Sequence, residues 1–370
     1  MDSSPDIAAT LELEAAYPEG FSLLNGVREL ADGTLLAADP LAEVLLHIDL
    51  DAGTADTLGR PGPGPHEYKQ PDQVFPLPGD SSLLVDLGKM QLTEIGPDGG
   101  FGQGIPMAIQ TEDRFPLVLH PRFVDHQGRL YDQAPRSRDG GPRDSVAVLR
   151  FDRATRETDT VAMVWFPEIE QIRSRGGGFV PRMLEARNAW AVGDDGRVAV
   201  VHAQEFSVEW LFPDGRVVHG PPNPYPTHQT GRAEKEAVLS GMRSSGISMT
   251  SVGPRGGGVE RMTMRRGISW DGGGPSVDDY EWAETLPPFH SDRVRVSSRG
   301  ELWVERYLPV DSLPQVAVFD EEGRFRGVVM LPARTQLLGF GLGPEGHEVA
   351  YLARTDEYDL RWLERYRVLR

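Results

Sequence analysis

Short apolar runs alternate with tight polar turns along the whole chain, and one phrase recurs six times. A turn built on Gly or Asp leads into an apolar strand in ADGTLLAAD (31–39), GDSSLLVDL (79–87), HQGRLYDQ (126–133), DDGRVAVVH (194–202), SRGELWVER (298–306) and PEGHEVAYLA (344–353). Alternating apolar positions beside such turns are the signature of a β-hairpin. In most repeats a second hairpin follows, around Asp51–Gly53, PDGG (97–100), PDG (213–215) and EEG (321–323). Each repeat therefore predicts four antiparallel strands, A to D. Six such units arranged radially predict an all-β, six-bladed β-propeller.

The last repeat is short by one strand. LLGFGL, HEVAYLA and DLRWLERYRVL supply three, and then the sequence ends, while TLELEAAY (10–17) alternates without a hairpin partner of its own. An unpaired edge is a liability that ring closure removes. The N-terminal strand is thus expected to close the last blade and make residues 1–370 one domain.

Turn-to-turn spacing locates the insertions. It is 47 residues from Gly33 to Asp80, 48 to Gly128, and 46 from Gly300 to Gly346. From Gly128 to Gly196 it is 68, and from Gly196 to Gly300 it is 104. The first excess lies at 166–187 and contains IRSRGGGFVPR. The second, 221–289, opens with PPNPYP and closes with Gly-rich, basic stretches. Between these the pattern predicts a helix over 231–245 that buries Ala233, Ala237, Val238 and Met242. Loops this long in a compact domain usually carry function.

Composition removes several classes of chemistry. The chain has no cysteine, which excludes disulfides, zinc–thiolate centres, iron–sulfur clusters and a Cys nucleophile. A net charge of −18, spread along the chain, repels nucleic acid and anionic lipid surfaces. No apolar run approaches the roughly 20 residues of a membrane span. MDSSPDIAATLELE has neither the basic nor the apolar region of a signal peptide. The expectation is a periplasmic or extracellular protein whose leader is absent from this chain, with a cytoplasmic location as the alternative.

The segment GRPGPGPHEYKQP (59–71) resembles the Gly-rich connector with a Gly-Glu-Phe/Tyr core that leads into a new blade in NHL-like repeat proteins. The Asp that ends strand B in LLAAD and LLVD fits the same repeat. The run GELWVERYLPVDSLPQVAVFDEEGRFRGVVMLP and the ending DEYDLRWLERYRVL are similar to six-bladed propellers that bacteria export. His66 stands where the connector pattern usually has Gly. The resemblance implies the propeller fold; its superfamily includes protein-binding modules as well as sugar-lactone hydrolases and lyases. In the lactone-hydrolysing members a cation is held by acidic and amide side chains from comparable places.

In a four-stranded blade the A–B and C–D turns share one face, and the B–C loops and D-to-A connectors share the other. Both insertions fall on the second, so this connector face is the expected working surface. Residues at the start of each strand A should ring the channel mouth there: Asn25, Gln70 or Asp72, His120 with Arg122, Arg187 with Asn188, His290 with Asp292, and Gln336. His202 holds the matching place at the end of strand B in the fourth repeat. Such a ring suits a small polar ligand, and His120 and His290 are the candidates for holding a divalent cation. A solvated polar rim is the plainer reading. Asp39, Asp86 and Asp132 most simply cap the turns that follow them. Arg173, Arg175 and Arg182 flank the GGG of the first insertion and suit an anion. Trp270 and Trp282 are candidate anchors for a protein partner. No nucleophile elbow, phosphate loop or HExxH metal motif is present. The favoured expectation is a non-enzymatic binding propeller. The alternatives are a metal-assisted hydrolase or lyase of the lactonase kind, or a structural subunit of a larger assembly.

Overall fold

Six antiparallel four-stranded sheets form where the repeats predict them. The computed structural model describes residues 6–109, 117–135, 144–167, 172–173, 179–180, 182–252, 261–267 and 276–370. Blade 1 spans 27–57, blade 2 71–106, blade 3 123–165, blade 4 189–219 and blade 5 289–330. Blade 6 takes its first three strands from 335–369 and its outer strand from Thr10–Ala16. The chain is a six-bladed β-propeller.

Strand B is packed on both faces, so Leu35–Asp39 and Ser82–Asp86 are buried at every position. Aromatic side chains fill the space between blades. Trp190 lies with Tyr131 between blades 3 and 4, Trp210 with Phe289 and Phe319 between blades 4 and 5, and Trp303 with Tyr366 between blades 5 and 6. The Gly-rich connector is held from both ends. Tyr68 is fully buried and its hydroxyl accepts the Leu45 N–H at 3.2 Å, while Glu67 accepts from the Gly64 N–H and Lys89 Nζ donates to the Gly64 and Glu67 carbonyls. The A–B turns at Gly33, Gly128, Gly196, Gly300 and Gly346 all have φ between 73° and 85°, a region where a side chain is strained. This is why Gly recurs there.

The predicted clasp is present. Thr10 pairs with Leu369 and Ala16 with Glu364, with a bulge between Leu13 and Ala15. A bulge re-aims the extra side chain, here Glu14. Its carboxylate accepts from His347 Nε2 at 2.7 Å and Arg367 Nε at 2.8 Å, with Arg365 Nε 3.3 Å away. Burial raises the Glu14 pKa, but the hydrogen bonds from Arg367 and His347 and the nearby Arg365 outweigh it and hold the carboxyl below its ordinary range. Upstream, Asp6 and Ala8 exchange backbone hydrogen bonds with Val328 of blade 5. The N-terminus therefore ties two blades together.

The second insertion is structured in most of its described part. Its helix α1 covers Arg232–Ser245, as the pattern predicts. The expected buried face is corrected: Glu234 and Leu239 are buried, Val238 and Met242 half-buried, and Ala233 and Ala237 exposed. The cause is Glu234, whose carboxylate accepts the Val310 N–H of blade 5 at 3.3 Å and so turns the helix toward the propeller. Ile247–Val252 and Arg261–Arg266 then form a hairpin that the sequence pattern did not reveal. Among the described residues no helix is long and apolar enough to cross a membrane.

Removing residues 1–16 should expose the edge of blade 6 and lower the thermal midpoint sharply, with the single unfolding transition broadening in calorimetry. Glu14→Gln should cost about 1–3 kcal/mol through its unpaired cationic partners. An unchanged midpoint in both variants would show that the ring does not depend on the clasp.

Candidate functional site

The aspartates that end strand B do more than cap a turn. Asp39 accepts from the N–H groups of Leu41 and Ala42 in the following turn, and also from Ser22 and Leu23 in the segment leading into strand A. Asp86 accepts from Lys89 on one side and from Lys69 and Gln70 on the other. Asp132 accepts from His120 and Gln133. Blade 4 inverts the device: Asn188, at the start of strand A, accepts the Ala203 N–H at 3.0 Å and meets His202 Nδ1 at 3.1 Å. Each clamp fixes where a chain segment enters the channel mouth. Gln70 and His120, two candidate site residues, are held this way by their own backbones.

The mouth divides into three groups. The first centres on Asp72, which is 1% exposed. Arg266, from the hairpin of the second insertion, donates to both of its oxygens, Nε at 2.7 Å and Nη2 at 2.6 Å. His120 Nε2 lies 3.1 Å from the same carboxylate and Asn25 Nδ2 3.4 Å away. Gln70 completes the dock by accepting the Arg266 N–H at 2.8 Å, while its amide nitrogen donates to the Pro40 carbonyl. Burial raises the pKa of Asp72, but bonds from His120 and Arg266 more than offset it and hold the carboxyl below the usual range. Met264 of the same hairpin is buried beside Leu87, Met107 and Leu119, and Arg265 pairs with Glu43 at 2.9 Å. The insertion that leaves blade 4 thus reaches across to blades 1 to 3.

The second group is cationic. Arg122 lies over the Trp190 ring at 5.1 Å and faces Asp292 and Asp132. Arg295 donates to the Leu338 carbonyl of blade 6 at 3.1 Å and lies 5.9 Å over Phe123 of blade 3, spanning the channel. Burial, aided by the nearby Arg122 and Arg293, lowers its pKa to about 10 against the pull of Asp292. Arg293 pairs with Glu305 at 2.6 Å. His290 stacks on Tyr307 at 4.0 Å, and burial with the Arg293 charge keeps the imidazole neutral at pH 7. The third group lies toward blade 4. Arg187 Nε donates to Ser291 Oγ at 2.8 Å and its guanidinium covers Phe166, while His202 approaches Glu209 at 3.9 Å.

The structure therefore brings Asn25, Gln70, Asp72 and His120 together. It places Arg122 near Asp292, and Asn188 with His202. His120 and His290, the candidate cation pair, turn to different partners. Among the described residues no group of three or more His, Asp or Glu side chains is arranged to hold a metal ion. Trp282 is half-buried, donates its indole N–H to the Val277 carbonyl at 2.9 Å and lies near Lys235. Arg182 lies 3.9 Å from Glu281, and Met183 pairs with Trp282, so the two insertions meet. Trp270, Arg175 and the Arg173 side chain lie outside the described residues. Sequence reasoning missed Arg266, Arg293 and Arg295. The run HSDRVRV carried a signal for the last two, since arginines at alternate positions of a strand share one face of its sheet.

No protein-family model matches the chain, and no curated protein does. The fold itself has many solved counterparts. A protein of Bacteroides fragilis, described as a candidate exported protein, is 13% identical, with 100% of this chain and 98% of that one covered at a TM-score of 0.51. The calcium-binding protein regucalcin of Agrobacterium tumefaciens is 11% identical over 97% and 96% of the chains, with a TM-score of 0.44. Virginiamycin B lyase of Staphylococcus aureus is 8% identical over 96% and 98%, with a TM-score of 0.43. The likeness is one of fold.

One side chain at the mouth gives a pH signature. Burial pushes the pKa of Asp132 up to about 6 from 3.8, against the N–H groups and cations around it. Between those two values the folded chain keeps a proton that the unfolded chain has released. This site therefore subtracts stability as pH rises through the window and leaves the full penalty above it. Thermal midpoints from pH 3.5 to 7.5 should show that decrement in the wild type and lose it in Asp132→Asn; parallel profiles would contradict it.

Proposed function

We propose that the protein is a non-enzymatic binding propeller, working outside the cytoplasm, that takes a small polar ligand or a protein partner on its connector face. The observation that supports this most is the state of Asp72. It is almost fully buried at the mouth, and a bidentate guanidinium together with His120 already satisfies it. A carboxylate neutralised this way offers a cation little, because binding the metal would require breaking a buried ion pair. Asn25, Gln70, Arg187 and Asn188 are likewise hydrogen-bonded to neighbouring side chains or backbone, an arrangement suited to rigid recognition. Arginines concentrated at the mouth of a chain of net charge −18 also focus a local positive field toward an incoming ligand.

The test is metal and activity analysis of protein purified without chelator. We expect no stoichiometric divalent ion and no hydrolysis of simple sugar lactones. A stoichiometric ion that is lost in His120→Ala or His290→Ala would overturn the reading in favour of a metal-assisted hydrolase.

A further inference from the structure

A cavity of about 300 Å³ opens between blades 5 and 6 on the connector face, at the small end of the range for ligand pockets. One wall is the loop after strand Leu302–Arg306, braced from behind by Glu234 of α1 through the Val310 N–H. The other is the start and middle of blade 6. Four guanidinium groups line it: Arg293, Arg306, Arg334 and Arg361. Among the described residues one carboxylate lines the cavity, Glu305, and it is already committed to Arg293 at 2.6 Å.

Among the described residues, the other three arginines hydrogen-bond neutral groups. Arg306 reaches the Gln315 side-chain oxygen at 3.4 Å, Arg334 the Asp356 carbonyl, and Arg361 the Thr355 hydroxyl. The Arg306 Nε is buried with no hydrogen-bond partner. Arg361 is crowded by Arg293 and Arg334, with Asp359 as its opposing charge. Like charges gathered in a cavity, with one buried donor unsatisfied, are unfavourable for folding alone and are relieved by an anion. Guanidinium forks match the oxygens of phosphate and carboxylate. Thr335, Ser312 and Gln336 add donors and acceptors for a hydroxylated body, and Leu308, Pro309 and Val310 give an apolar side.

We infer that this cleft is a binding site for a small molecule carrying a dianionic oxyanion group, a phosphate monoester or a dicarboxylate, gripped by Arg306, Arg334 and Arg361. This rests on the reading of the connector face as a binding face and names the ligand chemistry there. The same arginines explain how a strongly acidic protein can take an anion: the site is a local cationic island.

The probes are inorganic phosphate and succinate, each compared with sodium chloride at equal ionic strength, by thermal shift and calorimetric titration on the full chain. We expect at least one to raise the midpoint beyond the chloride control. A preference for phosphate marks a tetrahedral group, and a preference for succinate a pair of planar ones. Arg306→Gln and the exposed Arg334→Gln should weaken the favoured anion about tenfold or more, and Arg326→Gln, on the outer strand of blade 5, should not. Without anion, Arg306→Gln should melt no lower than wild type, because a buried charge with an unsatisfied donor has been removed. Loss of the response in either cleft variant supports the site. No anion response in the wild type, or a full response in both variants, overturns it. That failure would leave the metal analysis of the wider reading untouched, so the two fall separately.

Discussion

The channel mouth depends on one ion pair, Arg266 with Asp72. Asp72 belongs to the first strand of blade 2 and Arg266 to an insertion that leaves the ring after blade 4, so their contact joins parts of the chain 194 residues apart. A buried carboxylate costs several kcal/mol in desolvation unless it is paired and fully bonded. Here both oxygens are used by Arg266, and His120 and Asn25 add to them. Gln70 locks the backbone of the same arginine. Because the hairpin is fixed at this point, Met264 is carried into the apolar cluster of blades 2 and 3 and Arg265 onto blade 1. The cap is thereby part of the propeller rather than an appendage.

The strand-B aspartates support that geometry from below. A propeller places its ligand-facing residues on segments that would otherwise be free to wander. Asp39 and Asp86 remove that freedom by accepting N–H groups from both the turn after strand B and the segment before strand A, and Asp132 accepts from His120 before strand A and from Gln133 at the end of strand B. The residue pattern that identifies the repeat is therefore also what positions the mouth. Asp132 shows the cost: its carboxylate is buried enough to be pushed up to about pKa 6, so part of the mouth is held in place against a titrating group.

The fold was legible because it is written locally. Gly at the A–B turns reports a positive φ, alternation reports a strand, and a missing strand at one end with a spare at the other reports the clasp. The site was legible only where it shares that local logic. Asn25, Gln70, His120, Arg122 and His290 follow from counting to the start of each strand A. Arg266 does not, because its partner is set by how an insertion without repeat periodicity folds back. The helix shows the same boundary: its extent was readable from spacing, but its buried face was decided by Glu234 meeting a backbone N–H in blade 5. The arginines of the blade 5–6 cleft are scattered over nearly 70 positions, from Arg293 to Arg361, and only the closed ring brings them together.

A double-mutant cycle on Asp72→Asn and Arg266→Gln, read by chemical denaturation, tests the central contact most directly. If the insertion is docked through this pair, each single change should destabilise the protein and the double change should cost less than their sum, with a coupling of about 1–3 kcal/mol. Additive effects, within about 0.3–0.5 kcal/mol, would mean that the guanidinium and the carboxylate do not hold each other and that the cap sits on the channel for some other reason.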